Sequence, residues 1–143
     1  MRAEWIYIAG FVLIVDQASK QAILGRFADR RLPAGRRGPV IRFVANPRIG
    51  LGLFRTLYPL IMLWSVSVLG IALAMHALTF SHGDIVQIGA GVALGGATGN
   101  LLDLLRHGAV VDFIDLRIWP VFNLADLAIL SGVITACFAL LDT

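Results

Sequence analysis

From Leu57 to Leu78 the chain holds no Asp, Glu, Lys or Arg across 22 residues. About 20 apolar residues in helical form cross the hydrocarbon core of a bilayer. This stretch therefore predicts a membrane span, and in a chain of 143 residues one span constrains everything around it. Composition agrees: 58% of residues are hydrophobic and only 15% charged, against roughly 25% charged in a soluble domain. There is too little polar surface to cover a water-facing globule.

Three further apolar runs predict three further spans. The first covers residues 5–24. Its leading residues carry Arg2 offset by Glu4, and it ends in Asp16-Gln-Ala-Ser-Lys20 rather than in small residues. It reads as a retained helix, not a cleaved leader. The third covers 85–102 and contains Gly91, Gly95 and Gly99, which recur every four residues on one helical face. Small residues there let another helix approach closely in lipid. The fourth covers 121–141. Every span must be helical, because unpaired backbone groups are not tolerated in lipid. The expected fold is one all-α membrane domain, 1–143, of four transmembrane helices, with both termini on one side.

Two polar connections join these spans on the opposite side. Residues 26–56 are rich in Arg, Gly and Pro, and hold eight of the twelve Lys and Arg residues. Within them Val40-Ile-Arg-Phe-Val44 predicts a short strand or hairpin at the membrane surface. The Arg-rich stretch lies between two membrane-length segments, so anionic lipid headgroups are nearer partners than nucleic acid. Residues 103–120 form the second connection, with three acids and two Arg. Cys137 is the one cysteine and predicts core packing. The three histidines lack metal-ligand spacing, so no metal is expected.

The acids carry the chemistry. An ionisable residue at membrane depth is costly and is a functional candidate by default. Asp126 falls one turn inside the fourth span if Asn123 is its cap; a first-turn acid favoured by the helix dipole is the plainer reading. Asp112, in Val110-Val-Asp-Phe-Ile-Asp115, shares a face with Val110 and Ile114 if extended, and should be less solvated than Asp115. Two carboxylates in a partly dry pocket share a proton, one serving as base and the other as acid. Such a pair activates a water against an amide carbonyl and protonates the leaving nitrogen. No serine has a convincing His or Lys partner, and no phosphate-binding loop is present.

Taken together the motifs resemble those of the lipoprotein signal peptidases (type II signal peptidases) of bacteria, in order and over nearly the whole chain. Asp16-Gln-Ala-Ser-Lys20 is similar to the family's Asp-Gln-x-x-Lys. Gly99-Asn100 with Asp103 is similar to its Gly-Asn-x-x-Asp. The segments around Asp112 and Asp126 are similar to the two that hold its catalytic aspartates. The resemblance implies that Asp112 and Asp126 are catalytic and that Asn100 and Asn123 orient substrate or carboxylates. It implies supporting or substrate-binding roles for Asp16, Lys20, Asn46, Arg48 and Asp103. The implied reaction removes the signal peptide of a prolipoprotein just before a diacylglyceryl-modified cysteine, without a cofactor.

The chain departs from that pattern in places. Leu104 stands where the family has Arg, with Arg106 two residues on. Arg48 and Leu51 stand where the family has Gly and Phe after Asn46, and Leu127 replaces a small polar residue. Arg48 is expected to supply the charge that Leu104 lacks. These changes leave an alternative from another class: a catalytically silent paralogue that binds a signal helix or serves as a subunit of a larger membrane complex. A channel or transporter draws only on the intramembrane acids and lacks an internal repeat. Orientation is set by two opposed arguments. The loop cations would place the polar connections in the cytoplasm; the resemblance places them outside, in the bacterial inner membrane with cytoplasmic termini, and the expectation follows it.

Overall fold

The structure, a computed structural model, describes residues 4–27, 40–46, 64, 83–116, 118 and 120–141. The span predicted at 57–78, Trp64 apart, lies outside the described residues, as does Arg48. The chain is mostly helical. In order, the elements are α1 (Glu4–Phe27), β1 (Val40–Asn46), α2 (Gly83–His107), β2 (Val110–Asp115) and α3 (Leu124–Leu141). Two described helices, over Glu4–Arg26 and Asp84–His107, are long and apolar enough to cross a membrane, and a shorter apolar stretch runs over Leu124–Ala139.

Packing is built around α2, which touches α1 on one side and α3 on the other. Glycine makes both contacts close. A Cβ at Gly91 would lie 2.6 Å from the carbonyl oxygen of Trp5, and one at Gly95 2.6 Å from that of Ala9. On the opposite flank, a Cβ at Gly96 would lie 2.5 Å from the Ala125 carbonyl oxygen, and one at Gly132 of α3 2.5 Å from that of Gly89. The stripe expected at Gly91, Gly95 and Gly99 is thus the α1 seam, and a second stripe, Gly89 and Gly96, receives α3. Without a hydrophobic drive between helices in lipid, such close backbone approach supplies the van der Waals contact. The outward faces carry exposed apolar side chains, among them Tyr7, Phe11, Leu130 and Phe138, a surface suited to lipid rather than water.

Cys137 is exposed on α3 rather than packed in the core. In lipid an apolar helix need not turn its small hydrophobes inward, so hydrophobicity alone did not place this side chain.

The polar connections differ from their expected form. Helix α2 continues past residue 102 to His107, so Asp103 is helical rather than part of a loop. It stops where Gly108 adopts a left-handed φ of 68°, with the Gly108 N–H donating to the Leu104 carbonyl at 3.0 Å. The chain then enters β2, which pairs antiparallel with β1: Val44 lies opposite Asp112 and Asn46 opposite Val110, with an irregularity between Ile41 and Val44. The expected strand therefore exists and runs on to Asn46, but its partner comes from the second connection rather than from a local hairpin. Phe122 bridges the other edge of β2, donating to and accepting from Ile114 at 3.1 and 2.8 Å. This bridge takes up residue 122, so α3 starts at Leu124 and not at residue 121.

Candidate active site

Asn123 is fully buried, at 0% exposure, and caps α3. Its Oδ1 accepts the Asp126 backbone N–H at 2.9 Å, while Asp126 Oδ2 accepts the Asn123 backbone N–H at 3.2 Å. This is a reciprocal cap, in which a third-position acid reaches back to the capping residue. Because Oδ1 faces an N–H, Nδ2 is the donor on the other side. It donates to Asp112 Oδ1 at 2.8 Å, and also approaches Asn100 Oδ1 at 3.1 Å and the Val111 carbonyl at 3.3 Å. One asparagine is therefore hydrogen-bonded to both Asp112 and Asp126.

Asn100, on α2, closes the second link. Its Nδ2 donates to Asp126 Oδ1 at 2.9 Å. Its Oδ1 accepts from Lys20 Nζ at 3.0 Å, which fixes the amide's orientation. Both oxygens of Asp126 thus hold N–H groups, and the side chain remains only partly covered.

Beneath the pair lies an ionic cluster. Lys20, at 1% exposure, reaches Asp16 Oδ2 and Asp103 Oδ2, each at 2.8 Å. Asp16 Oδ1 accepts the Ala125 N–H at 3.0 Å, and Asp103 Oδ2 accepts the Val111 N–H at 3.1 Å. Asp16 reaches this position because Gly99 has no side chain: a Cβ there would fall on the Asp16 carboxylate. Removing one member of a buried ion pair leaves its partner uncompensated, at about 3–5 kcal/mol.

The structure brings Asp16, Lys20, Asn100, Asp103, Asp112, Asn123 and Asp126 into one connected network. Asn46 lies at the end of β1, with its backbone beside Val110. Asp112 is not the drier of the two strand acids: Asp112 is 5% exposed and Asp115 3%. Strand β2 is covered on both faces, so alternation along it does not separate a wet side from a dry one. Leu104 is buried. Arg106 is exposed and donates through Nη1 to Gln17 Oε1 at 3.1 Å.

Sequence reasoning gave Gln17 and Gly99 no role at the site, although both stand in the motifs quoted above. The Gln17 amide nitrogen lies 3.2 Å from the Gly99 carbonyl, 3.0 Å from Asp103 Oδ1 and 3.3 Å from Asp16 Oδ2. Its signal was spacing: residues 17 and 20 are three apart on a helix, so Gln17 shares a face with Lys20.

The chain is similar to known proteins over nearly its whole length. A family model described as signal peptidase (SPase) II matches residues 8–142. A lipoprotein signal peptidase of Moorella thermoacetica is 41% identical, covering 96% of this chain and 92% of that one. Its counterpart from Pelotomaculum thermopropionicum is 37% identical, covering 94% and 90%. A bacterial membrane enzyme solved at 2.3 Å superposes with a TM-score of 0.72 at 28% identity, covering 97% of this chain and 88% of that one.

Proposed function

The chain belongs to the signal peptidase II family, and from that premise we propose that it is an aspartic endopeptidase that cleaves diacylglyceryl prolipoproteins with Asp112 and Asp126. The substrate class follows from the family: this is a peptidase that removes signal peptides from prolipoproteins. The observation that carries the aspartic reading is Asn123, whose one side chain and backbone hold both carboxylates. A strand and a helix start, 14 residues apart in the chain, are thereby fixed side by side.

In the proposed reaction one carboxylate takes a proton from water as that water attacks the scissile carbonyl. The other carboxyl donates a proton to the leaving nitrogen, and the pair is restored by exchange. Proton transfer of this kind contributes roughly 10²–10⁴-fold to a rate. Asn100 and Asn123 keep the two acids oriented throughout. A site at the lipid boundary suits the substrate, because the signal helix and the acyl chains both lie in the bilayer.

We place the protein in the bacterial inner membrane as a four-span bundle, with residues 57–78 as the second span, termini in the cytoplasm and the aspartates toward the outer face. Membrane lipids are its immediate surroundings. A reporter fused after Thr143 should read as cytoplasmic; an extracytoplasmic signal would reverse the orientation.

The decisive assay offers purified protein a diacylglyceryl prolipoprotein and the same precursor without the lipid. Cleavage just before the lipid-bearing cysteine, and only in the modified precursor, is expected. A folded protein that leaves both intact would refute the reading.

A further inference from the structure

We propose that Lys20 is a positioning residue that sets the separation of Asp112 and Asp126; the proposal rests on their assignment above. A lysine ammonium has three N–H donors. Here they are directed at Asp16, Asp103 and Asn100. Each of those three residues passes the constraint on to one of the aspartates. Asp16 holds the backbone N–H of Ala125, the residue immediately before Asp126. Asp103 holds the backbone N–H of Val111, the residue immediately before Asp112. Asn100 donates to the carboxylate of Asp126 itself.

One nitrogen atom on α1 is therefore a common origin for two segments that Asn123 and the Phe122–Ile114 bridge also tie to each other. The start of α3 is measured from it through Asp16, and the start of β2 through Asp103. The Phe122–Ile114 bridge sets the pairing of these segments with each other, and the Lys20 cluster sets where both sit relative to α1 and α2.

Stability is a weak explanation for this cluster. Buried ion pairs are often matched or bettered by well-packed apolar side chains, because desolvation offsets the attraction. What a buried ammonium supplies that apolar packing does not is direction, since its bonds are short and aimed at particular oxygens. In a reaction that needs two carboxyl groups around one water, a misplacement of about 1 Å costs on the order of 10²-fold.

The test measures kcat and KM separately for diacylglyceryl prolipoprotein with purified full-length variants. In Asp16→Asn and Asp103→Asn an oxygen remains to accept the Ala125 or Val111 N–H; in Asp16→Ala and Asp103→Ala none does. Lys20→Met alone strands two buried acids. The triple variant Asp16→Asn/Lys20→Met/Asp103→Asn therefore removes all three charges together and avoids that penalty. Helical circular dichroism checks that it folds. The expected result is a fall in kcat of about 30-fold or more for the triple variant, with KM within about threefold. Each Ala variant should lose about tenfold more kcat than its Asn counterpart. A folded triple variant with the parent's kcat would overturn the proposal, as would equal losses in the Asn and Ala pairs or a loss confined to KM. Asp112→Asn and Asp126→Asn are assayed alongside. If either cleaves like the parent, the catalytic assignment fails; if both are silent while the triple variant is fully active, only the positioning role fails.

Discussion

The same three helices are held together in two different ways at their two ends. Away from the site, α2 meets its neighbours through Gly89, Gly91, Gly95 and the facing Gly132, with backbone against backbone and no polar side chain needed. At the site, the contacts are Asp16, Gln17, Lys20, Asn100 and Asp103, each aimed at a named atom. Close packing sets how near the helices come but tolerates sliding. Hydrogen bonds to single atoms set where each residue sits along and around its axis. Gly99 belongs to both regimes: it continues the glycine seam, and the space it leaves is filled by a carboxylate.

That contrast makes different losses at the two ends. The largest is expected at Asn123. Asn123→Ala removes the donor to Asp112 and the acceptor for the Asp126 N–H, so kcat should fall by about 10²-fold or more. Loss of the cap alone should lower stability by about 1 kcal/mol. An active variant with only the stability loss would show that the cap, not the bridge, is what matters. Gly99→Ala comes next. Its new methyl group displaces Asp16, and activity should fall by about tenfold or more while the helices remain packed. Activity equal to the parent would place Asp16 outside the site's control.

Gly132→Ala tests the other regime. It forces apart two backbones, at a cost of about 1–3 kcal/mol in stability, read as an earlier thermal transition in detergent. Cleavage per folded molecule should be unchanged; a drop in kcat would mean that the seam also tunes the site. The smallest effect belongs to Leu130→Ala on the exposed face of α3, where a change within about 0.5 kcal/mol is expected. A large loss there would point to a covered face rather than a lipid-facing one.

Much of this was legible in the residues themselves. Asn123 and Asp126 announced a cap and a first-turn acid by their spacing, and Gly91, Gly95 and Gly99 announced a close helix contact. Val110–Asp115 reads in the sequence as part of a polar connection, extended only as a condition on the face of Asp112, and neither the strand nor its partner was predicted there. That pairing joins Val44 to Asp112 across 68 positions, and local pattern carries no information over such a distance. The extent of α2 was missed for a related reason. Asp103, Arg106 and His107 look like loop residues, yet the helix extends through them to Gly108, where Asp103 gains Lys20 and Val111 as partners. The Asp16–Lys20 pair was readable from its i,i+4 spacing on one helix, but nothing near Lys20 in the chain foretold Asp103 and Asn100, because those contacts exist only after α1 and α2 pack together.

The central claim is that Asp112 and Asp126 act as one unit, and a double-mutant comparison tests it most directly. Prolipoprotein cleavage is measured for Asp112→Asn, Asp126→Asn and the double variant. Groups that share one proton and one water are non-additive, so each single variant should lose about as much as the double, roughly 10³-fold or more. Losses that multiply, or a single variant that keeps substantial activity, would contradict the paired mechanism.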